Sequence, residues 1–148
     1  MTTHLNDDAN TGALEIVKTA DIVVFAVKPQ FARPVLSGVS GAFRPQQLVV
    51  SIMGGITLDF LAEYFPNNPV LRVMPNTPML VRKGVAGIAA NQLAQGEYAQ
   101  LGVEMFNLVG RSYLLPENLI DPLTSASGCS PAFAYLFIEA MADDGVEK

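Results

Sequence analysis

The stretch Asp21-Ile22-Val23-Val24-Phe25-Ala26-Val27-Lys28-Pro29 decides the fold. From Ile22 to Val27 apolar residues, most of them β-branched or aromatic, follow one another without polar alternation. That is the pattern of a parallel strand covered on both faces. Pro29 closes it, because it has no N–H to donate to a continuing ladder. Similar buried runs follow at Leu48-Val49-Val50-Ser51-Ile52 and, after the turn cluster Pro66-Asn67-Asn68-Pro69, at Val70 to Val73.

Helical patterns lie between and around these runs. Upstream, Asn10 or Thr11 can cap a short helix through Lys18, with Leu14, Ile16 and Val17 as its apolar residues. Phe31 to Phe43 repeats apolar residues at helical spacing: Phe31, Val35, Leu36, Val39 and Phe43. Thr57 caps a helix carrying Leu58, Leu61, Ala62 and Phe65 on one face. Downstream, Gly84 to Ala90 reads as a strand. Gly96 to Val109 reads as a helix with Leu101, Met105 and Leu108 inward and Gly110 as its stop, and Ser112 to Leu115 as a last strand. Strand and helix in alternation predict an α/β fold, a doubly wound, Rossmann-like parallel sheet built by right-handed crossovers.

Near Pro116 the period changes, which divides the chain into 1–116 and 117–148. Glu117 to Ser125 reads as helical, and a second helix starts at Ser130-Pro131, with serine as cap and proline in the first turn. Its residues Phe133, Leu136, Phe137, Ala140 and Met141 form one stripe, while Ala134 and Ile138 lie elsewhere on its girth. A helix that apolar requires other helices around it, so 117–148 is expected to be the start of an all-helical domain.

The totals exclude several classes of function. The chain has 148 residues, half of them hydrophobic and 16% charged, with a net charge of −5 and no run of basic residues, which argues against a nucleic-acid surface. No apolar stretch approaches the roughly 20 residues that span a bilayer. Met1 to Asn10 is polar and lacks a positive-then-apolar pattern, which reads as cytoplasmic. A single cysteine, Cys129, cannot form an internal disulfide, and a single histidine, His4, suggests no metal site.

Chemistry concentrates in four loops: Ala26-Val27-Lys28-Pro29-Gln30, Met53-Gly54-Gly55, Met74-Pro75-Asn76-Thr77-Pro78, and Ser125-Ala126-Ser127-Gly128-Cys129-Ser130-Pro131. The third is stiffened by two prolines, which hold Met74 and Thr77 extended. It reads either as a rigid ligand loop at the carboxyl end of a strand or as a double-proline turn with a self-bonding asparagine.

In that order and at that spacing the four loops resemble the pyrroline-5-carboxylate reductases, which reduce a cyclic imine to proline with a nicotinamide cofactor. The matching pieces run from Ala20-Asp21-Ile22-Val23-Val24 through Lys28-Pro29, then Val49 to Ile52, Met74 to Pro78, Ser127 to Phe133, and Glu139 to Asp143. The resemblance implies that Val27, Lys28, Pro29, Met74, Pro75 and Asn76 lie beside NADPH or NADH. It implies that Asn76 and Thr77 line the nicotinamide and imine as the catalytic pair, and that Ser127, Gly128, Cys129 and Ser130 close the substrate pocket. Cys129 stands where the family often has serine. A small-molecule imine substrate, a role in proline biosynthesis and a homo-oligomer are implied with them.

The family begins with a strand and a Gly-rich turn for the cofactor pyrophosphate, whereas this sequence contains no G-x-G-x-x-G. The resemblance therefore implies a sheet incomplete at its N-terminus and, for the chain alone, an incomplete active site. Two other readings stand beside it. One is a non-catalytic remnant or fragment that self-associates through the Ile22 to Val27 edge or the Phe133 to Met141 helix. The other is a different NAD(P)-dependent dehydrogenase, of the hydroxyacid type.

Overall fold

Leu48, Val49, Val50 and Ser51, the four residues of strand β2 (Leu48–Ser51), are all buried. Such enclosure requires cover above and below and a strand on either side. The computed structural model describes residues 11–146. The readings placed on Met1 to Asn10, with Asn10 as a cap and His4, lie outside the described residues.

Among the described residues five strands form one sheet, in the order β1-β2-β3-β4-β5. Strand β1 (Ile22–Phe25) runs parallel to β2, and β2 parallel to β3 (Val70–Pro75). Strand β4 (Gly84–Ala90) is antiparallel to β3, and β5 (Gly110–Leu114) is parallel to β4. The all-parallel expectation thus holds for the first three strands and is revised for the last two. Residues 76–83 are too few for a parallel crossover, which needs about a dozen or more, so the chain must return antiparallel.

Helices α1 (Thr11–Thr19), α2 (Ala32–Val39) and α3 (Leu58–Ala62) cover one face, where Val17, Leu36, Val39, Leu61 and Phe65 pack on Val23, Phe25, Val49 and Val70. Helix α4 (Glu97–Asn107) covers the other, with Leu101, Val103 and Phe106 over Leu48, Val50, Leu71, Val73 and Ile88. Both faces are filled, as in a Rossmann-like α/β domain. The predicted cap is present: Thr57 Oγ1 accepts from the Phe60 N–H at 3.2 Å.

Several expectations are corrected. Strand β1 is only partly covered on its second face, since Val23 and Phe25 are buried on the first while Ile22 is half-buried against the α4-side core and Val24 is 46% exposed. Among the described residues it lies at the edge of the sheet, and the strand itself ends at Phe25. Leu108 is 76% exposed, because α4 ends at Asn107 and the stripe does not continue to it. Gly110 is the first residue of β5 and not the helix stop. A Cβ at Gly110 would collide with the Gly84 carbonyl, so the glycine permits close approach of β4 and β5.

The C-terminal segment is nearly continuous helix. Residues 117–119 form a 3-10 turn, α5 (Ile120–Leu123) follows, residues 124–128 are π-helical, and α6 (Ser130–Val146) completes it. The Cys129 N–H donates to the Thr124 carbonyl at 3.1 Å, the five-residue step of a π-turn. Ser130 donates its hydroxyl to the Ala126 carbonyl, so it extends the helix and does not cap it. Helix α6 has no buried residue, and its aromatic and aliphatic side chains are bare. No helix among the described residues is long and apolar enough to cross a membrane.

Candidate active site

Because β1, β2 and β3 run parallel, their carboxyl ends share one edge of the sheet, where open α/β sheets bind ligands. Lys28 leaves β1 there as an exposed cation and precedes the 3-10 turn Pro29–Phe31. Val27, beside it, is half-buried against the α1–α3 core, so its side chain packs. Met53, Gly54 and Gly55 leave β2. Gly55 has φ +73°, which favours glycine, and a Cβ on Gly54 would meet nothing within 4 Å. Strand β3 lies two strands from β1, roughly 10 Å away at the usual spacing, and it brings Met74, Pro75 and Asn76 to the same edge.

Asn76 is the hub. Its Oδ1 accepts from the Val85 N–H at 2.8 Å, and its Nδ2 donates to the Ser127 carbonyl at 3.1 Å. The self-bonding turn is therefore ruled out, since the side chain caps nothing in its own turn and reaches residues 9 and 51 positions away. Pro131 explains why the Ser127 carbonyl is available. In an α-helix that carbonyl would bond the N–H four residues on, and proline has none. The third and fourth motifs are thus brought together, with Asn76 spanning from strand to π-segment. Thr77 is exposed at the start of the 3-10 helix Thr77–Val81, and among the described residues its hydroxyl has no hydrogen-bond partner.

The hydroxyls of the π-segment turn inward along their own helix. Thr124 donates to the Ile120 carbonyl at 2.7 Å, Ser125 to Asp121 at 3.2 Å and Ser127 to Leu123 at 2.9 Å. What Ser127 offers across to the sheet is its backbone. Gly128 is half-buried beside it, and Cys129 and Ser130 are exposed on the next turn. Among the described residues no group of three or more His, Cys, Asp or Glu could hold a metal.

One further residue, Arg72, fixes this geometry without having stood out in the sequence. It sits in β3, 4% exposed, and bonds Glu117 Oε1 at 3.1 Å and Asp121 Oδ1 at 2.6 Å. Glu117 Oε1 also accepts the Leu58 N–H at the start of α3, at 2.7 Å. Arg72, Met74 and Asn76 alternate onto one face of the strand, the face that carries α5. Gly87 of β4, paired with Met74, lets α5 come close, because a Cβ there would collide with Leu123 and lie 3.1 Å from Ile120 Cδ1. The readable signal was a lone arginine within an apolar run, which must find a carboxylate once buried.

Comparison with known proteins finds similarity in both parts of the chain. Residues 117–148 match the family described as pyrroline-5-carboxylate reductase dimerisation, and residues 3–55 the family described as NADP oxidoreductase, coenzyme F420-dependent. A pyrroline-5-carboxylate reductase of Synechocystis is 40% identical over 133 residues, 89% of this chain and 49% of that protein. The chain is a relative of the pyrroline-5-carboxylate reductases. The Escherichia coli enzyme of that name is 39% identical over 94% of this chain and 52% of its own length. The chain spans about half the length of these relatives. Among solved structures, the Plasmodium falciparum pyrroline carboxylate reductase with NADP bound superposes with a TM-score of 0.85 at 36% identity, over 90% of this chain and 51% of that one. The Streptococcus pyogenes 1-pyrroline-5-carboxylate reductase gives 0.83 at 29%, over 93% and 52%. A Mycobacterium tuberculosis 3-hydroxyisobutyrate dehydrogenase shares the fold alone, with a TM-score of 0.53 at 15% identity over 70% of this chain and 38% of that one. The hydroxyacid reading therefore has only the architecture in its favour.

Proposed function

We propose that this chain supplies the nicotinamide-facing and imine-facing part of a pyrroline-5-carboxylate reductase, acting with NADPH as reductant. The observation that carries the reading is the Asn76–Ser127 bond, which unites the Met74 to Pro78 loop and the Ser127 to Pro131 segment at the carboxyl edge of the sheet. NADP bound to the Plasmodium relative supports the choice of cofactor.

The residues present fit one half of such a cofactor. Lys28 is an exposed cation at the end of β1, suited to a phosphate or ribose, and Gly54-Gly55 leaves the backbone open next to it. The sequence holds no G-x-G-x-x-G to cradle a pyrophosphate, so no role is assigned there. When bound, a reduced nicotinamide supplies the hydride that goes to the imine carbon, and the nitrogen gains a proton. Asn76, with both ends of its amide engaged, fixes the distance between the loop and the π-segment. It acts by positioning. Thr77 keeps a free hydroxyl at that edge and is the group able to hydrogen-bond the imine nitrogen or the nicotinamide amide. Residues 1–116 then form the cofactor-binding unit, and 117–148 begin the helical unit that closes the pocket and pairs two copies.

The test is titration of isotope-labelled chain with NADPH, read at the backbone amides of Lys28, Thr77 and Ser127, beside an assay of imine-dependent NADPH oxidation. Shifts confined to these residues, weakened by Lys28→Met, are expected. Shifts that fall only on the opposite edge of the sheet would overturn the reading.

A further inference from the structure

Among the described residues, Arg33, Arg44 and Arg72 all face carboxylates: Glu63 at 3.7 Å, Asp21 at 3.3 Å, and Glu117 with Asp121 at 3.1 and 2.6 Å. Arg82, Lys83 and Arg111 have none within ion-pair distance among the same residues. These three cations line one shallow depression of about 280 Å³ together with Gly84, Val85 and Gly110. Two features of the backbone bring them there. Arg82 takes φ +58°, a left-handed conformation uncommon for arginine. Its turn is closed by the Arg82 N–H to the Met79 carbonyl and the Lys83 N–H to the Pro78 carbonyl, both at 3.0 Å. Gly110 lies against Gly84, where a Cβ would collide with the Gly84 carbonyl oxygen. Strands β4 and β5 therefore start with no side chain between those two residues, and Arg111 comes opposite Val85. No basic run in the sequence announces this cluster; the fold assembles it, in a chain of net charge −5.

We propose that this depression is an anion site that takes a phosphate or diphosphate group of a small molecule. Three cations beside bare glycine backbone call for more than one negative charge. A single carboxylate would leave two of them uncompensated. A phosphate group carries about two charges at neutral pH, and its three acceptor oxygens suit two guanidinium forks and an ammonium. The site stands at the edge of the sheet where β3 ends, because β4 runs antiparallel to β3. It is bonded to the loop at that edge: Asn76 Oδ1 accepts the Val85 N–H at 2.8 Å, and the Pro78 carbonyl accepts the Lys83 N–H. Occupancy therefore acts on the loop that carries Asn76 and Thr77, which makes the bound anion an effector of that loop. A free phosphorylated metabolite and the phosphates of a dinucleotide offer the same chemistry. The inference does not depend on the reductase reading.

The test is titration of isotope-labelled chain with inorganic diphosphate, acetate and NADPH in turn, at constant ionic strength. Diphosphate is expected to give saturable shifts at the amides of Lys83, Gly84, Val85 and Arg111, slower exchange at the Val85 amide, and binding at least about tenfold tighter than that of acetate. R82Q/R111Q should weaken diphosphate binding by at least about tenfold. Both side chains are exposed, and should that variant lose its native circular dichroism, K83Q takes its place, with weakening again expected. The NADPH arm assigns the source: shifts at the same amides, reversed by diphosphate, name the dinucleotide, and amides left unmoved name the free metabolite. Shifts that acetate or sodium chloride reproduces, or a dissociation constant unmoved by the glutamine variants, would overturn the proposal. A diphosphate response that Lys28→Met removes and R82Q/R111Q leaves intact would overturn it too, while the reductase reading stands.

Discussion

The side-chain amide of Asn76 donates to the carbonyl of Ser127 at 3.1 Å, across 51 residues of sequence. That contact joins the end of β3 to the π-segment, and the Val85 bond on the other end of the same amide, at 2.8 Å, ties it to β4. Asn76→Ala removes both. Two neutral, partly buried hydrogen bonds are together worth about 1–3 kcal/mol, so urea unfolding should show a loss in that range. The Val85 amide should exchange faster than in wild type. A loss below a few tenths would mean that the loop holds itself.

Pro131 and Asn76 should be coupled. Pro131→Ala supplies an N–H four residues after Ser127, which then competes for the carbonyl that Asn76 holds. The prediction is non-additivity: Asn76→Ala costs less in the Pro131→Ala background than in wild type, by roughly 0.5–1.5 kcal/mol. Strict additivity across the double-mutant cycle would show that the proline has no part in freeing the carbonyl.

Arg72→Ala leaves Glu117 partly enclosed without its cation while the arginine's place beneath α5 empties. Breaking a buried pair from one side costs about 3–5 kcal/mol, and because Asp121 is largely exposed the lower end is expected. Asp121→Asn should cost no more than about 1 kcal/mol, as for an exposed pair. Glu117→Gln should fall between the two, since an amide oxygen can still accept the Leu58 N–H. Thermal unfolding of the three variants, ranked, decides the matter; equal effects would contradict the burial argument.

Gly87→Ala places a methyl against Leu123 and Ile120. Overpacking of this kind costs typically 1–3 kcal/mol. Because α5 must shift, faster amide exchange is expected along 124–128 as well as a lower melting temperature. A lower melting temperature with unchanged exchange in that segment would place the strain elsewhere.

The sheet was legible where several signals agreed. The runs at Ile22, Leu48 and Val70 lie in strands because apolar content, β-branching and bounding turns all pointed one way. Thr57 caps its helix as its residue type suggests. The reversal of β4 was also within reach, since the segment from Asn76 to Lys83 is too short to cross over. What could not be read locally depended on partners far along the chain. Arg72 sat in plain view within an apolar run, but Glu117 and Asp121 are 45 and 49 residues away. Leu108 followed the helical period correctly and still missed the core, because the helix ended one residue before it. Ser130 had the residue type of a cap, yet the helix runs on through it.

Arg72 also acts as an alignment pin. Strand side chains alternate between faces, so sliding β3 by one residue against its neighbours would carry its charge to the opposite layer, among Leu48, Val50 and Ile88. No carboxylate bonded to it lies on that side. A sheet of interchangeable valines and leucines tolerates several offsets nearly equally, whereas one guanidinium with two fixed acids tolerates a single one. The same ion pairs that seat the helical segment therefore choose, among otherwise similar pairings, the one in which Asn76 arrives opposite Ser127.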